Sequence, residues 1–202
     1  MKKTWIQALR APLAWPMIAA VMLGSAHAAA PTPVPVKDSS FGCITKMTPV
    51  RGFYVDNLLG KLDETLAVAR SGKGGSYPTG SVVQLVPTEV MVKQPPGTSP
   101  VTKDWEFFEL NVSAEGSTIA KRGFVDVANR FGGNCFGCHV QAKPQWDLIC
   151  ETDHGCAPLP VKHHVFAALQ RSDPRCTPAQ PLSVQDQAAL KELADLMKPK
   201  TP

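Results

Sequence analysis

Asn134-Cys135-Phe136-Gly137-Cys138-His139 constrains this chain more than any other segment, because it packs two thiols and an imidazole into little more than one helical turn. The cysteines stand three positions apart, so a helix brings both sulfurs to one side, and His139 follows without a spacer. That spacing lets each thiol form a thioether with one vinyl group of the same haem while the imidazole comes up under the iron. The competing readings are a zinc site built from the remaining cysteines with His154, or a Cys-x-x-Cys redox centre. Both need free thiolates, which an exported chain disfavours. The expectation is one covalent haem c, held by Cys135 and Cys138, with His139 as the proximal iron ligand.

The opening residues read as an export signal. Lys2, Lys3 and Arg10 form a charged start, an apolar stretch runs from Ala11 to Leu23, and Ala26-His27-Ala28 offers small residues for a peptidase that cuts after about Ala28. Pro12 and Pro16 interrupt a run too short to span a bilayer comfortably, which weighs against a retained anchor. No cysteine lies near the cut, which weighs against a lipoprotein. The expected location is the periplasm.

Removing residues 1–28 changes the charge argument. The full chain carries 21 Lys+Arg against 17 Asp+Glu, but the signal holds three of the basic residues and none of the acidic ones. Eighteen against 17 remain, so the basicity belongs mostly to the signal and makes no case for a nucleic-acid partner. The 174 residues left suit one domain with a real core.

Cys43, Cys150, Cys156 and Cys176 make an even remainder, expected as two disulfides with three possible pairings. A small loop closed by Cys150–Cys156, with Cys43–Cys176 tying the N-terminal segment to the tail, is the preferred one.

Along the mature chain, residues 29–40 hold Pro31, Pro33 and Pro35 and read as an extended leader. Asp56 can cap a helix with Leu58, Leu59, Leu62, Leu66 and Ala69 at helical spacing, ended by Ser71-Gly72-Lys73-Gly74-Gly75-Ser76. That Gly-rich stretch lacks the preceding strand and the Lys-Ser/Thr ending of a phosphate loop, so it is a turn. Ser81–Val86, Glu89–Val92, Trp105–Val112 and Thr118–Arg122 read as strands, the last two as a hairpin. The apolar parity slips between Phe107 and Phe108, which predicts a bulge or a strand covered on both faces. Helix returns at Val161–Arg171 and after Ser183, where Asp186 three residues on completes a capping box and Leu190, Leu193 and Met197 form a stripe. The class is α+β: a mainly antiparallel sheet with a packed helix, a haem motif at 135–139 and a helical, disulfide-braced tail at 150–202 that belongs to the same domain as 41–149.

Three blocks resemble the cytochrome P-460 family, whose relatives include the cytochromes c′-beta. They are Tyr77-Pro78-Thr79-Gly80-Ser81-Val82-Val83, Trp105-Glu106-Phe107-Phe108, and Cys135-Phe136-Gly137-Cys138-His139 with Asp147 eight residues later. The resemblance covers roughly residues 50–149. It implies a mainly antiparallel β fold with a short packed helix, often a homodimer, and a haem held by a proximal His with the distal side open. Catalytic members carry a lysine joined to the haem ring near the Pro-x-Gly turn. Ser81 to Val92 contains no Lys, and Lys93 and Lys103 have no clear match, so the hydroxylamine chemistry tied to that link is in doubt. The tail of about sixty residues also exceeds the family pattern.

Around the iron, a backbone carbonyl or Asp147 is expected to accept from the other His139 nitrogen, with Asp147 read first as a turn residue. Trp146 is expected to pack on the haem or the core. His154, His163 and His164 are the alternative sixth ligands, and Met47, Met91 and Met197 lack local context for that role. The expected partners are a small gaseous or nitrogenous ligand, such as nitric oxide or hydroxylamine, and a periplasmic redox partner. A six-coordinate electron carrier is the alternative.

Overall fold

Short turns with the right backbone chemistry build the sheet. The computed structural model describes residues 31–198; the expected export signal and its expected cut after about Ala28 lie outside the described residues. Thr48–Val50 (β1) and Phe53–Asn57 (β2) pair across Arg51-Gly52, both at positive φ (43° and 99°), the twist that a two-residue hairpin requires. Ser81–Val86 (β3) and Glu89–Lys93 (β4) are joined through Pro87-Thr88, and Trp105–Ser113 (β5) and Gly116–Gly123 (β6) through Ala114-Glu115. The six strands lie in sequence order, every neighbour antiparallel. With Leu62–Ala69 (α1), Cys135–His139 (α2), His163–Arg171 (α3) and Val184–Leu196 (α4), the fold is α+β.

The helix after Asp56 starts later than the apolar spacing predicts. Asp56 sits in β2 opposite Val82, and the Asn57 side chain takes over the turn, its Oδ1 accepting from Leu59 N–H (2.8 Å) and Lys61 N–H (3.2 Å). Those bonds and Gly60 at φ +75° hold Leu58 and Leu59 outside the helix.

The sheet is covered on both faces, which explains the slip in parity at Phe107-Phe108. Trp105 and Phe107 join Val55, Val83 and Met91 under α1 and the 127–149 segment, whereas Phe108 and Leu110 join Val82, Val90 and Val92 on the other side. The register shift in β5 comes later, between Glu109 and Leu110. Extended residues 31–37 form a strap over the second face. Val34 and Val36 alternate with prolines and are buried, and Val34 N–H donates to Gln94 Oε1 (2.8 Å).

Two disulfides, Cys43–Cys176 and Cys150–Cys156, brace the chain. The tail grips the sheet through polar contacts. Gln170 Nε2 donates to the Gly52 and Leu85 carbonyls, and the fully enclosed Asp173–Arg175 pair reaches Ile44 N–H, Ser117 Oγ and the Pro87 carbonyl. In α4 the capping box is present: Ser183 Oγ accepts from Asp186 N–H, and Ser183 N–H donates to Asp186 Oδ2. Leu190 and Leu193 pack toward Val165, Ala168 and Ala189, while Met197 stays exposed.

Candidate functional site

Asn134 sets the short α2. Its Oδ1 accepts from Gly137 N–H (2.6 Å), its Nδ2 donates to the Val125 carbonyl (2.8 Å), and Cys135 N–H donates to the Val127 carbonyl (2.9 Å). The helix is thereby pinned at its first turn, with Cys135 and Phe136 packed against the Trp105–Phe107 core and Cys138 exposed. Of the six cysteines, these two alone are free.

His139 is oriented by two contacts. Its Nδ1 lies 2.7 Å from the Leu148 carbonyl oxygen, and its ring packs on Phe107 with centroids 5.4 Å apart. A carbonyl only accepts, so Nδ1 carries the proton and Nε2 keeps its lone pair for another partner. Burial pulls the His139 pKa down, against the opposing effect of the Leu148 bond, which favours the neutral ring that ligates metal.

The Leu148 carbonyl is itself held by an unusual turn. Asp147 and Leu148 both adopt positive φ (49° and 66°), a conformation that costs non-glycine residues about 1–3 kcal/mol each. Asp147 is fastened at both ends. Its carboxylate accepts from Lys93 Nζ (2.7 and 2.9 Å) and Tyr77 N–H (2.8 Å), and its carbonyl accepts from Trp105 Nε1–H (2.7 Å). Lys93 and Asp147 are both buried, and Lys93 Nζ also donates to the Lys103 carbonyl (2.6 Å). Burial lowers the Lys93 pKa, while the Asp147 charge acts to raise it. Of the two acceptors expected for His139, the backbone carbonyl serves, and Asp147 acts on the turn behind it.

Two acidic residues of the sheet lie close enough to act on Cys135 in α2. Glu89 and Glu109 are cross-strand partners on β4 and β5. Burial, then the Glu109 charge, pushes the Glu89 carboxyl up to about 7, against opposing effects of Asn129 and Arg130. Glu109 Oε1 accepts from Arg130 Nε (2.6 Å), and its Oε2 is buried without a donor. Burial first, then these two carboxylates, push the Cys135 thiol up to about 11.

The other expected ligands separate cleanly. His154 is buried, stacked on Trp146 (3.7 Å, 4°), with Nδ1 bonded to the Ile149 carbonyl. Trp146 is half-buried, outside the apolar core clusters, with its ring stacked on His154. His163 and His164 lie exposed on α3, and His164 Nε2 meets Glu192. Met47 belongs to the strap side of the sheet, and Met91 is buried in the cluster that takes in Cys135. The zinc alternative loses its thiolates to the disulfides. Among the described residues, Cys43, Cys176 and Asp173 come together as possible donors, but the two sulfurs are bonded to each other and the carboxylate to Arg175. A cleft of about 510 Å³ bordered by Lys73, Tyr77, Lys93, Lys103 and Asp147 has neither free cysteine nor His139 in its wall.

The donor set fits a c-type haem: two free thiols in one turn, an adjacent imidazole with Nε2 available, and apolar Val125, Phe131 and Val140 left 39–50% exposed along the flanking chain. Sequence reasoning missed the roles of Lys93, Leu148, Glu89, Glu109 and Arg130. Only Lys93 had been considered at all, in connection with the ring-linked lysine. Compared with known proteins, the chain matches no family model, no curated protein and no solved structure.

Proposed function

We propose that the protein is an exported, periplasmic c-type cytochrome of the cytochrome P-460-like kind, which binds one covalent haem through Cys135 and Cys138 with His139 as proximal ligand. Its distal side is open to a small ligand such as nitric oxide or hydroxylamine. One observation carries the reading. The only unpaired thiols among six cysteines sit one turn apart, immediately before a histidine whose Nδ1 is committed to the Leu148 carbonyl and whose Nε2 is free.

When bound, the haem supplies the iron for ligand binding and electron transfer; the protein supplies attachment, orientation and access. Cys135 and Cys138 fix the ring, and the Leu148 bond holds the imidazole plane. Lys93, the lysine at the end of β4, is engaged by Asp147 and the Lys103 carbonyl, which speaks against a lysine link to the ring.

The second reading, a six-coordinate electron carrier, rests on Met91, the one candidate methionine in the same buried cluster as Cys135.

The attachment is tested with Cys135→Ala combined with Cys138→Ala in the exported protein. Haem stain on a denaturing gel and pigment in the acid–acetone residue should both vanish. Full retention of stain overturns the assignment to this motif.

A further inference from the structure

Lys93 and Asp147 form a buried ion pair 54 residues apart in sequence, and neither side chain is hydrogen-bonded to Cys135, Cys138 or His139. Buried pairs are expensive to desolvate, and an apolar pair of similar volume often serves stability as well, so a role beyond stability is worth seeking. What this pair holds is specific. Asp147 and the next residue are the two non-glycine positions at positive φ that swing the Leu148 carbonyl toward Nδ1 of His139. Four hydrogen bonds converge on Asp147: two from Lys93 Nζ, one from Tyr77 N–H and one from Trp105 Nε1–H. Lys93 and Trp105 are themselves register partners on β4 and β5, with the ammonium 5.0 Å from the indole centroid. The neighbouring strands β4 and β5 are therefore tied directly to the turn that aims the carbonyl.

We propose that Lys93 and Asp147 are positioning residues for the iron ligand: by locking the Asp147-Leu148 turn they fix the tautomer, plane and donor strength of His139. The inference rests on the reading of His139 as proximal ligand. A strong Nδ1–H to carbonyl bond makes the imidazole more basic at Nε2 and favours ferric iron. Slackening the turn lengthens that bond, makes the imidazole a poorer donor and favours ferrous iron. The geometry assigns the control of potential to a charge pair that acts through the Leu148 carbonyl rather than by a hydrogen bond to the ring.

The test uses full-length protein in two forms. In haem-free chain labelled with nitrogen-15 histidine, wild-type His139 should appear as a single Nδ1–H tautomer. Lys93→Met and Asp147→Asn should convert it to an exchanging mixture. In haem-loaded protein the same variants should raise the midpoint potential and lower the Fe–His stretching frequency of the ferrous form, with haem stain unchanged. Because breaking a buried pair can unfold a chain, Trp105→Phe serves as the second variant. It removes one donor from the Asp147 carbonyl, leaves the ion pair, and should shift each readout in the same direction by less. Folded variants with the wild-type tautomer, potential and frequency overturn the proposal. Wild-type protein without covalent haem overturns the cytochrome reading alone, and the tautomer then decides the clamp by itself.

Discussion

Cys43 and Cys176, 133 residues apart, are bonded to each other and join the segment that leads into β1 to the connection between the two tail helices. Closing so long a loop removes much more freedom from the unfolded chain than the Cys150–Cys156 bridge, whose ends are 6 residues apart. Chain-entropy arguments put the long bridge at about 4–5 kcal/mol and the short one at about 2 kcal/mol. Cys43→Ser with Cys176→Ser should therefore lower the urea midpoint well beyond Cys150→Ser with Cys156→Ser. Equal shifts would mean that the Asp173–Arg175 contacts to Ile44, Ser117 and Pro87 already hold these segments together without the long bridge. Alkylation without reduction should label none of the four cysteines in wild-type protein.

Glu89 predicts how stability follows pH. Its folded carboxyl titrates at about 7 against an ordinary value of 4.5, raised by burial and then by Glu109. Between those values the folded chain holds more protons than the unfolded one, so stability from this group is full below the lower value and is lost as pH rises through the upper one. Glu89→Gln should remove that slope. At about pH 8 it should gain at most roughly 2–3 kcal/mol over wild type, and at about pH 4 nothing. Urea titrations across this range decide it; parallel curves for the two proteins would show that Arg130 and Asn129 cancel the burial effect.

The sheet's centre and the tail's last helix were legible because their signals are local. Runs of Val at 81–86 and 89–92 fall on β3 and β4, and Ser183 with Asp186 makes the capping box that opens α4. β1 and β2 were hidden by Pro49 and by Asp56, which resembles a helix cap, while helical spacing ran back through Leu58 and Leu59 into a turn made by the Asn57 side chain. The strap's extended path was readable from its prolines, but its burial depends on Val34 and Val36 meeting a face that only the folded sheet provides. Within the site, the motif announced itself through three residues in five positions. The clamp behind it could not, since Lys93 and Asp147 meet only once β4 and the 144–149 turn are packed, and positive φ at Asp147 and Leu148 leaves no glycine to mark it.

The state of the iron separates the two functional readings. His163 and His164 lie exposed on α3, and His154 is enclosed against Trp146 with Nδ1 committed to Ile149, so no histidine among the expected alternatives is presented beside Cys135. Met91 is the candidate methionine that shares a buried cluster with Val83, Phe107 and Cys135. A thioether packed between strands is held by its neighbours and would have to leave that core to reach iron, whereas an exogenous ligand needs no such rearrangement. Ferric protein should then be predominantly high-spin and bind cyanide or nitric oxide at similar rates in wild type and Met91→Leu. The ferrous Soret band should be that of an ordinary c-type haem, because Lys93 is tied to Asp147 and β3 carries no lysine. A low-spin ferric spectrum that turns high-spin in Met91→Leu would replace the open site with an electron carrier. A red-shifted ferrous band with a lysine adduct on the haem peptide would instead make hydroxylamine oxidation the leading function and require the Lys93–Asp147 pair to open.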